Sequence, residues 1–288
     1  MGLPRSSRFA VGIAVAALAT AGLTSCQQAP DTYVALGDSY TAGPLIPLQS
    51  LQPLGCLRSD HNYPSLTAPH IGVPKARDVS CSGATTGDMF APQGVTPGPN
   101  PPQLNALDAG TRVVTLGIGG NDIGFSSIIQ GCATQNPFGH GCAAGYTAGG
   151  HDQIADRINA TAPKVDSVLA AIRARAPQAK VLVVGYPTIL PDSGSGCYPL
   201  VPILGKDVPY LRSKEKQLNA MLAARASAAG DTFVDTYTSS IGHDVCKLPG
   251  TKWVEGLVPT SPAAPVHPNA DGMRHTAGLV TAAILAVI

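Results

Sequence analysis

The chain has 288 residues, of which 44% are hydrophobic and 13% are charged, and its formal net charge at pH 7 is +1. This length and apolar content fit one large α/β domain with a substantial core. A net charge so close to zero argues against the basic surface that binds nucleic acid, so no nucleic-acid partner is expected. The 32 glycines and 26 prolines predict a protein rich in loops.

The N-terminal residues have the pattern of an export signal. Arg5 and Arg8 are the only charged residues before Asp31. The stretch Phe9–Leu23 is apolar, rich in alanine and valine, and too short to span a bilayer comfortably. Residues 1–25 are therefore predicted to be a signal peptide, and the protein is predicted to be exported.

The end of this signal resembles a bacterial lipobox, because small residues precede a cysteine in Leu23-Thr24-Ser25-Cys26. In a lipobox the cysteine is lipidated and becomes the mature N-terminus. Residues 26–30 would then be a lipidated tether and residues 31–288 the folded domain. The lipid on Cys26 would anchor the protein to the outer face of the cytoplasmic membrane. The alternative is an ordinary secretory signal that leaves Cys26 free and the protein secreted.

Four short apolar runs predict strands. They are rich in valine and leucine, and turn-forming or polar residues follow them closely. These runs are Tyr33–Leu36, Val113–Leu116, Val181–Val184 and Thr232–Asp235.

Three longer segments predict helices that alternate with the strands. Residues 152–176 have apolar residues at three- and four-residue steps, and Pro163 is expected to mark a kink or a break. Residues 211–229 form the second helix, with Gly230 as its stop, and residues 270–286 form the third. Strands that alternate with helices indicate the α/β class, with a mainly parallel sheet covered on both faces.

The first strand runs directly into Gly37-Asp38-Ser39-Tyr40. A sharp turn there would present the Ser39 hydroxyl at the carboxyl end of the strand, which is where open α/β sheets bind ligands. Ser39 is therefore a candidate nucleophile, provided that other segments supply a base and an oxyanion site. The alternative is that Ser39 only caps the helix that follows.

Three further segments place reactive residues at turns. Asn121 follows Gly119-Gly120, Gly83 lies among small residues, and His267 lies just before the last helix. These groups can meet Ser39 at one edge of a parallel sheet. Acyl transfer needs a serine nucleophile, a histidine base and fixed donors for the oxyanion. The candidate donors are the backbone N–H groups of Ser39 and Gly83 and the side-chain amide of Asn121.

Without Cys26 the chain has six cysteines, an even number that suits an oxidising compartment. Cys132 and Cys142 bracket a short loop and are the obvious local pair. For the other four, consecutive pairing is the simplest arrangement. The predicted bonds are Cys56–Cys81, Cys132–Cys142 and Cys197–Cys246. The cysteine and histidine spacings do not fit a zinc site, so no metal is expected.

Together the motifs resemble the SGNH hydrolases of the GDSL esterase/lipase family. The blocks Gly-Asp-Ser-Tyr, Ser-Gly-Ala-Thr-Thr, Gly-Gly-Asn-Asp and Val-His-Pro-Asn occur in the order of that family and span nearly all of the exported chain. The resemblance is greatest to the secreted actinobacterial branch, which shares Tyr40 in place of leucine and three consecutively paired disulfides. It implies a flavodoxin-like three-layer α/β/α sandwich, the SGNH hydrolase fold, and an esterase or lipase that needs no cofactor.

One departure from the family concerns the third member of the catalytic triad. The family usually has an aspartate three residues before the histidine, where this chain has Ala264. A backbone carbonyl, most simply that of Ala264, is the favoured partner for His267. The alternative is a carboxylate from another position, such as Asp271 or Glu255. A carbonyl would stabilise the imidazolium less than a carboxylate does, so His267 should be a weaker base.

The predicted function is hydrolysis of acyl esters through an acyl-Ser39 intermediate, with His267 as the base. The oxyanion hole would consist of Ser39, Gly83 and Asn121. The resemblance implies an ester or lipid substrate with a lipid-like or short-to-medium acyl group, and we expect a monomer. One alternative is a carbohydrate O-deacetylase that acts on envelope polysaccharide. Another is a non-catalytic lipoprotein that binds a glycan or a lipid.

Overall fold

The computed structural model of the protein describes residues 1–2 and 32–288. The predicted signal peptide, apart from its first two residues, and the predicted tether with Cys26 lie outside the described residues. Five strands form one sheet in the described chain. They are β1 (Thr32–Gly37), β2 (Lys75–Asp78), β3 (Thr111–Gly117), β4 (Lys180–Val184) and β5 (Thr232–Val234).

The strand order is β2-β1-β3-β4-β5, and every neighbouring pair is parallel. The chain moves from β1 to one side to make β2 and then crosses back to make β3. This reversal creates a switch point between β1 and β3, where ligands of doubly wound sheets bind. The predicted α/β class with a parallel sheet is therefore confirmed.

The strand β2 was not predicted from the sequence. Its residues Lys-Ala-Arg-Asp have no apolar pattern, and its first three residues are exposed. It lies at the edge of the sheet and pairs only with β1. Edge strands need little apolar side-chain area, because their backbone bonds to one neighbour supply the pairing.

Seven α-helices occur among the described residues. They are α1 (Ser39–Ala42), α2 (Tyr63–Thr67), α3 (Phe125–Cys132), α4 (Ala143–Tyr146), α5 (Gln153–Arg175), α6 (Val208–Ala229) and α7 (Ala270–Leu285). The three long predicted helices are thus present as α5, α6 and α7. In residues 1–2 and 32–288, no helix has both the length and the apolar content to cross a membrane.

The helix α5 continues through Pro163, so the predicted break is absent. Pro163 lacks the N–H that would bond to the carbonyl of Asn159. Both residues are exposed on the outer face of α5, where water can satisfy that carbonyl. The inner face of the helix remains buried, and its packing outweighs the local loss.

Alternate residues of the strands pack into two separate hydrophobic cores. In β1, Val34 and Leu36 pack with the helices α5 and α6 on one face of the sheet. Tyr33 and Ala35 pack with α2 and α7 on the other face. Each fully buried large apolar side chain contributes about 1.5–3 kcal/mol to folding. The result is a three-layer sandwich whose loops at the carboxyl edge of the sheet are free to form a site.

Three disulfide bonds brace the loops at this carboxyl edge. Cys56–Cys81 joins the loops after β1 and β2, Cys132–Cys142 closes the loop after β3, and Cys197–Cys246 joins the loops after β4 and β5. These are the three bonds predicted from the sequence. They restrain the part of the molecule that has the least regular secondary structure.

Candidate active site

Ser39 lies at the sharp turn between β1 and α1. The N-cap of α1 is Asp38, whose carboxylate accepts a hydrogen bond of 2.9 Å from the backbone N–H of Tyr40. A Cβ atom at Gly37 would lie 2.2 Å from Oγ1 of Thr41, so the turn requires glycine there. The helix-capping role considered for Ser39 is therefore wrong. Its hydroxyl is free to contact the C-terminal part of the chain.

The imidazole of His267 connects Ser39 to a backbone carbonyl. Its Nε2 atom lies 2.8 Å from Oγ of Ser39, and its Nδ1 atom lies 2.7 Å from the carbonyl oxygen of Pro265. A carbonyl only accepts hydrogen bonds, so Nδ1 carries the proton and Nε2 is free to accept one. The partner of Nδ1 is therefore a backbone carbonyl, as favoured from the sequence, but it is the carbonyl of Pro265 and not that of Ala264. The carbonyl of Ala264 instead accepts the backbone N–H of His267 at 3.2 Å.

The two carboxylates considered as alternatives bond elsewhere. Glu255 is buried, and its carboxylate lies 2.7 Å from the Lys252 ammonium and accepts a bond of 2.9 Å from the Asn269 amide. Asp271 is paired with Arg274 on the first turn of α7. Within residues 1–2 and 32–288, no carboxylate contacts the ring of His267.

Burial lowers the pKa of His267 below the ordinary histidine value of 6.5, and the hydrogen bond from Nδ1 to Pro265 opposes this shift only in part. A neighbouring carboxylate would have raised the pKa of His267 by stabilising the imidazolium. The ring is therefore neutral at physiological pH, and the neutral ring is the form that accepts a proton.

Three hydrogen-bond donors were predicted to form an oxyanion site. The backbone N–H of Ser39 begins α1 and has no acceptor in the described part of the chain. The backbone N–H of Gly83 likewise lacks an acceptor there, and its φ of +80° is a conformation that favours glycine. The side-chain amide of Asn121 donates one hydrogen to the carbonyl of Ala84 at 2.9 Å, which leaves its second hydrogen unused.

Three of the predicted site residues share one cavity, and the fourth does not. Ser39, Asn121 and His267 line one cavity. Gly83 is not part of the cavity wall, although its loop is tied to Asn121 through Ala84. Gly83 thus has the weakest geometric support among the predicted donors.

A buried network connects the loops that carry Ser39 and Asn121. The backbone N–H of Gly120 donates to the hydroxyl of Tyr186 at 2.8 Å, and this hydroxyl donates to Asp38 at 2.5 Å. Burial raises the pKa of Asp38 to about 7, while the bonds from Tyr186 and Tyr40 lower it. The network fixes the spacing of the two loops, and the Asp38 carboxylate in it is bonded to Tyr186 and to the backbone of Tyr40. Tyr186 was not singled out from the sequence, although its position directly after β4 is a usable signal.

Tyr40 also has a role that the sequence did not define. Its hydroxyl donates to the backbone carbonyl of Val266 at 2.5 Å, and its ring centre lies 4.9 Å from that of His267. Val266 has a φ of +61°, which is strained for a β-branched residue. The bond from Tyr40 holds this strained residue, and with it the orientation of His267.

The cavity beside Ser39 is largely apolar. It contains about 710 Å³ of space between protein atoms, part of which is open to solvent. Its apolar walls are Ile123, Phe125, Ile128, Ile129, Ile154, Ile189, Leu190, Leu211 and Leu218. These residues come from the loops after β3 and β4 and from the helices α3, α5 and α6. A cavity of this kind suits an apolar segment of a ligand that has one polar reacting group.

Besides Asp38, two charged residues line the cavity wall, and both already have partners. Lys214 lies 2.5 Å from the carboxylate of Asp152, and Glu215 accepts a hydrogen bond of 3.0 Å from the backbone N–H of Ile189. Burial raises the pKa of Glu215 well above its ordinary value. The cavity therefore has little free charge with which to attract an ionic ligand.

Comparisons with known proteins identify the family of the chain. The model of the GDSL-like lipase/acylhydrolase family matches residues 35–275. Lipase 2 of Streptomyces coelicolor is 41% identical over 266 residues, which cover 90% of this chain and 88% of that protein. The lipase of Streptomyces rimosus is 33% identical over 262 residues and covers 89% of both. The chain belongs to the GDSL-like lipase/acylhydrolase family of SGNH hydrolases, and it is a carboxylic ester hydrolase.

Two solved structures share the fold over almost their whole length. Phospholipase A1 from Streptomyces albidoflavus superposes with a TM-score of 0.70 at 27% identity, covering 88% of this chain and 99% of that one. The extracellular lipase from Streptomyces rimosus superposes with a TM-score of 0.67 at 30% identity and the same coverage. The SGNH hydrolase fold implied by the sequence motifs is thus confirmed.

Proposed function

We propose that the protein hydrolyses acyl esters through an acyl-Ser39 intermediate, with His267 as the base. The observation that carries this proposal is the distance of 2.8 Å between Oγ of Ser39 and Nε2 of His267. Because the Pro265 carbonyl accepts the proton on Nδ1, Nε2 faces the serine hydroxyl with its lone pair. This is the geometry that general-base activation of a serine requires.

The reaction runs in two halves. His267 takes the hydroxyl proton as Ser39 attacks the ester carbonyl, and the oxyanion accepts hydrogen bonds from the Ser39 and Gly83 N–H groups and the Asn121 amide. The imidazolium then gives its proton to the departing alcohol. In the second half, His267 takes a proton from the water that attacks the acyl group, and the imidazolium returns the proton to Oγ of Ser39 as the carboxylic acid departs. The carbonyl of Pro265 orients the ring throughout but supplies no full negative charge.

The substrate class follows from the cavity next to Ser39. Its walls are largely apolar, and its charged side chains already have partners, so an acyl chain of several carbons gains binding energy there. A carbohydrate O-deacetylase needs room only for an acetyl group and needs polar groups for the sugar. The cavity therefore favours lipid-like or short-to-medium acyl esters over acetylated polysaccharide.

The rates on a series of esters test this assignment. We expect kcat/KM for aryl esters to increase from acetate to medium-length chains by about threefold to fourfold per methylene, until the cavity is filled. An acetylated sugar should react more slowly than the medium-chain ester. The Ser39→Ala variant serves as the blank for uncatalysed hydrolysis. A maximum at acetate, with faster turnover of the acetylated sugar, would identify a deacetylase instead.

The pH dependence of kcat/KM tests the role of His267. Only the neutral imidazole accepts the serine proton, so activity is lost as the pH falls through the pKa of His267. Because burial lowers that pKa, we expect the acid limb to have its midpoint below 6.5. The measurement uses a soluble ester between about pH 4 and pH 9. A midpoint above 6.5 would mean that a carboxylate stabilises the imidazolium.

We also propose that the protein is exported and anchored by a lipid on Cys26. The signal peptide 1–25 and Cys26 would place residues 31–288 on the outer face of the cytoplasmic membrane, where an oxidising environment suits three disulfides. The domain would act there as a monomer. Incorporation of a labelled fatty acid that Cys26→Ser abolishes tests the anchor, and equal labelling of the variant refutes it.

A further inference from the structure

The backbone of His267 is paired with a second segment of the chain, which also lies between β5 and α7. Val254 and Pro268 form an antiparallel bridge between the two segments. The backbone N–H of Glu255 donates to the carbonyl of His267 at 2.9 Å. The position of the His267 backbone is therefore tied to the segment that contains Glu255.

The buried carboxylate of Glu255 holds the chain on both sides of His267. One of its oxygens accepts a hydrogen bond of 2.9 Å from the side-chain amide of Asn269. The other oxygen accepts the backbone N–H of Thr260 at 2.8 Å and the hydroxyl of the same residue at 3.2 Å. We refer to residues 260–269 as the histidine loop. A single carboxylate thus bonds to both ends of this loop.

The charge of this carboxylate is balanced by Lys252. The ammonium group of Lys252 lies 2.7 Å from Oε2 of Glu255, and both side chains are buried. Burial by itself raises the pKa of Glu255, but the hydrogen bonds from Lys252 and from the histidine loop lower it below its ordinary value. Glu255 therefore stays ionised, and its charge strengthens the hydrogen bonds that it accepts.

Asn269 connects the carboxylate to the helix α7. Its amide nitrogen donates to Glu255 and also to the backbone carbonyl of Lys252 at 2.9 Å. Its side-chain oxygen caps the helix by accepting the backbone N–H groups of Asp271 at 3.0 Å and Gly272 at 3.1 Å. Both amide hydrogens and both oxygen lone pairs are thus used. The end of the histidine loop is fixed between the helix and the buried ion pair.

The histidine loop needs this support because its backbone is strained beside the catalytic ring. Val266 has a φ of +61°, and such a conformation persists only where the surrounding contacts determine it. The carbonyl of Pro265, directly before it, accepts the Nδ1 proton of His267 at 2.7 Å. A catalytic triad orients its imidazole by direct contact with a carboxylate. Here the carbonyl that orients the ring belongs to a loop whose two ends are held by a carboxylate.

We propose that Glu255 is a positioning residue for His267, and that its carboxylate acts through the histidine loop and not on the imidazole ring. This role rests on the proposed function, since it assumes that His267 is the base. A stabilising role alone is the weaker explanation, because the cost of taking two charges out of water offsets the attraction between them. The bonds of the carboxylate to both ends of the loop favour positioning.

Glu255→Gln tests this role with a side chain of the same shape. The variant keeps an oxygen for Asn269, but its NH2 group meets the N–H of Thr260, which is also a donor. We expect kcat for a soluble ester to fall about 10- to 100-fold with little change in KM, because the base is misplaced while the cavity is unaltered. Asp231→Asn is the matched control. That carboxylate lies 2.7 Å from the guanidinium of Arg173, but just before β5 at the opposite edge of the sheet, so kcat should be unchanged.

Proton NMR tests the position of the ring without using activity. The Nδ1 proton of His267, bonded to the Pro265 carbonyl, should give a downfield resonance in the wild type. The His267→Gln variant lacks this resonance and so assigns it among the seven histidines. In Glu255→Gln the resonance should move upfield or disappear through exchange with water, whereas Asp231→Asn should retain it. An unchanged resonance in Glu255→Gln would overturn the positioning role.

Two further variants separate positioning from stability. Lys252→Met combined with Glu255→Gln leaves no unpaired ion in the interior, so its melting temperature should return toward that of the wild type. Its kcat should stay low, because Thr260 still lacks its acceptor. Asn269→Ser retains an oxygen that caps α7 but is too short to reach Glu255, and it should also lower kcat. Recovery of kcat together with the melting temperature in the double variant would show that the ion pair only stabilises the fold.

The resonance and the rate together distinguish this inference from the proposed function. If Glu255→Gln loses the resonance but keeps full turnover, Glu255 does position His267, and the assignment of His267 as the base fails. If the resonance stays while Ser39 and His267 are both required for turnover, only the role of Glu255 fails.

Discussion

Ser39→Ala is expected to lower kcat for ester hydrolysis by about four decades or more, because in the proposed mechanism the Ser39 hydroxyl is the group that attacks the carbonyl. The residue is only 8% exposed and alanine is smaller than serine, so the fold should tolerate the change. Initial rates on a medium-chain aryl ester, compared with the wild type at equal concentration, measure the loss.

Covalent labelling provides the control for this variant. A fluorophosphonate should add to the wild-type protein at Ser39 and leave Ser39→Ala unmodified. Ser227→Ala, at an exposed position of α6, should retain full turnover and full labelling. Retained hydrolysis in Ser39→Ala would assign the nucleophile to another residue. A wild type that is neither labelled nor active would favour a non-catalytic lipid- or glycan-binding protein.

Asn121→Ala is expected to lower kcat by about 100- to 1,000-fold, because one oxyanion donor is lost. The amide acts on the charge that develops in the transition state, so KM should change little. Steady-state kinetics on one soluble ester separate the two parameters. A change confined to KM would contradict an oxyanion role.

The hydrogen bond from Asn121 to Ala84 requires its own control. The amide also donates to the carbonyl of Ala84, so alanine could act by releasing the loop that carries Gly83. A drop in melting temperature together with normal kcat would assign Asn121 to that structural role. Asn105→Ala, at an exposed position, is the matched variant and should leave both the melt and the rate unchanged.

Regular apolar patterns explain which elements could be predicted from the sequence. The strands β1, β3, β4 and β5 contain short runs of apolar residues, and the long helices repeat their apolar residues at three- and four-residue steps. The edge strand β2 has no such repeat, because its side chains are exposed and only its backbone pairs. A break at Pro163 could not be excluded beforehand, because the sequence alone does not show that its missing N–H falls on the solvent-facing side of α5.

The partner of His267 could not be predicted for a different reason. Motif spacing predicted Ser39, Asn121 and His267, because few side chains have the chemistry of a nucleophile, an oxyanion donor or a base. A carbonyl is available on every residue, so the choice between Ala264 and Pro265 depends on backbone torsion. The positive φ of Val266 turns the chain so that the carbonyl of Pro265, and not that of Ala264, faces Nδ1. The tie from Tyr40 to Val266 likewise has no local signal in the sequence.

Ser39 and His267 are 228 positions apart, near opposite ends of the folded domain. In the proposed mechanism, a chain that has been translated only in part, or clipped before His267, has a nucleophile without its base. Such a fragment does not attack the esters of the cell that makes it. Turnover begins only when the last helix has docked on the sheet, so recovery of activity during refolding reports completion of the entire domain.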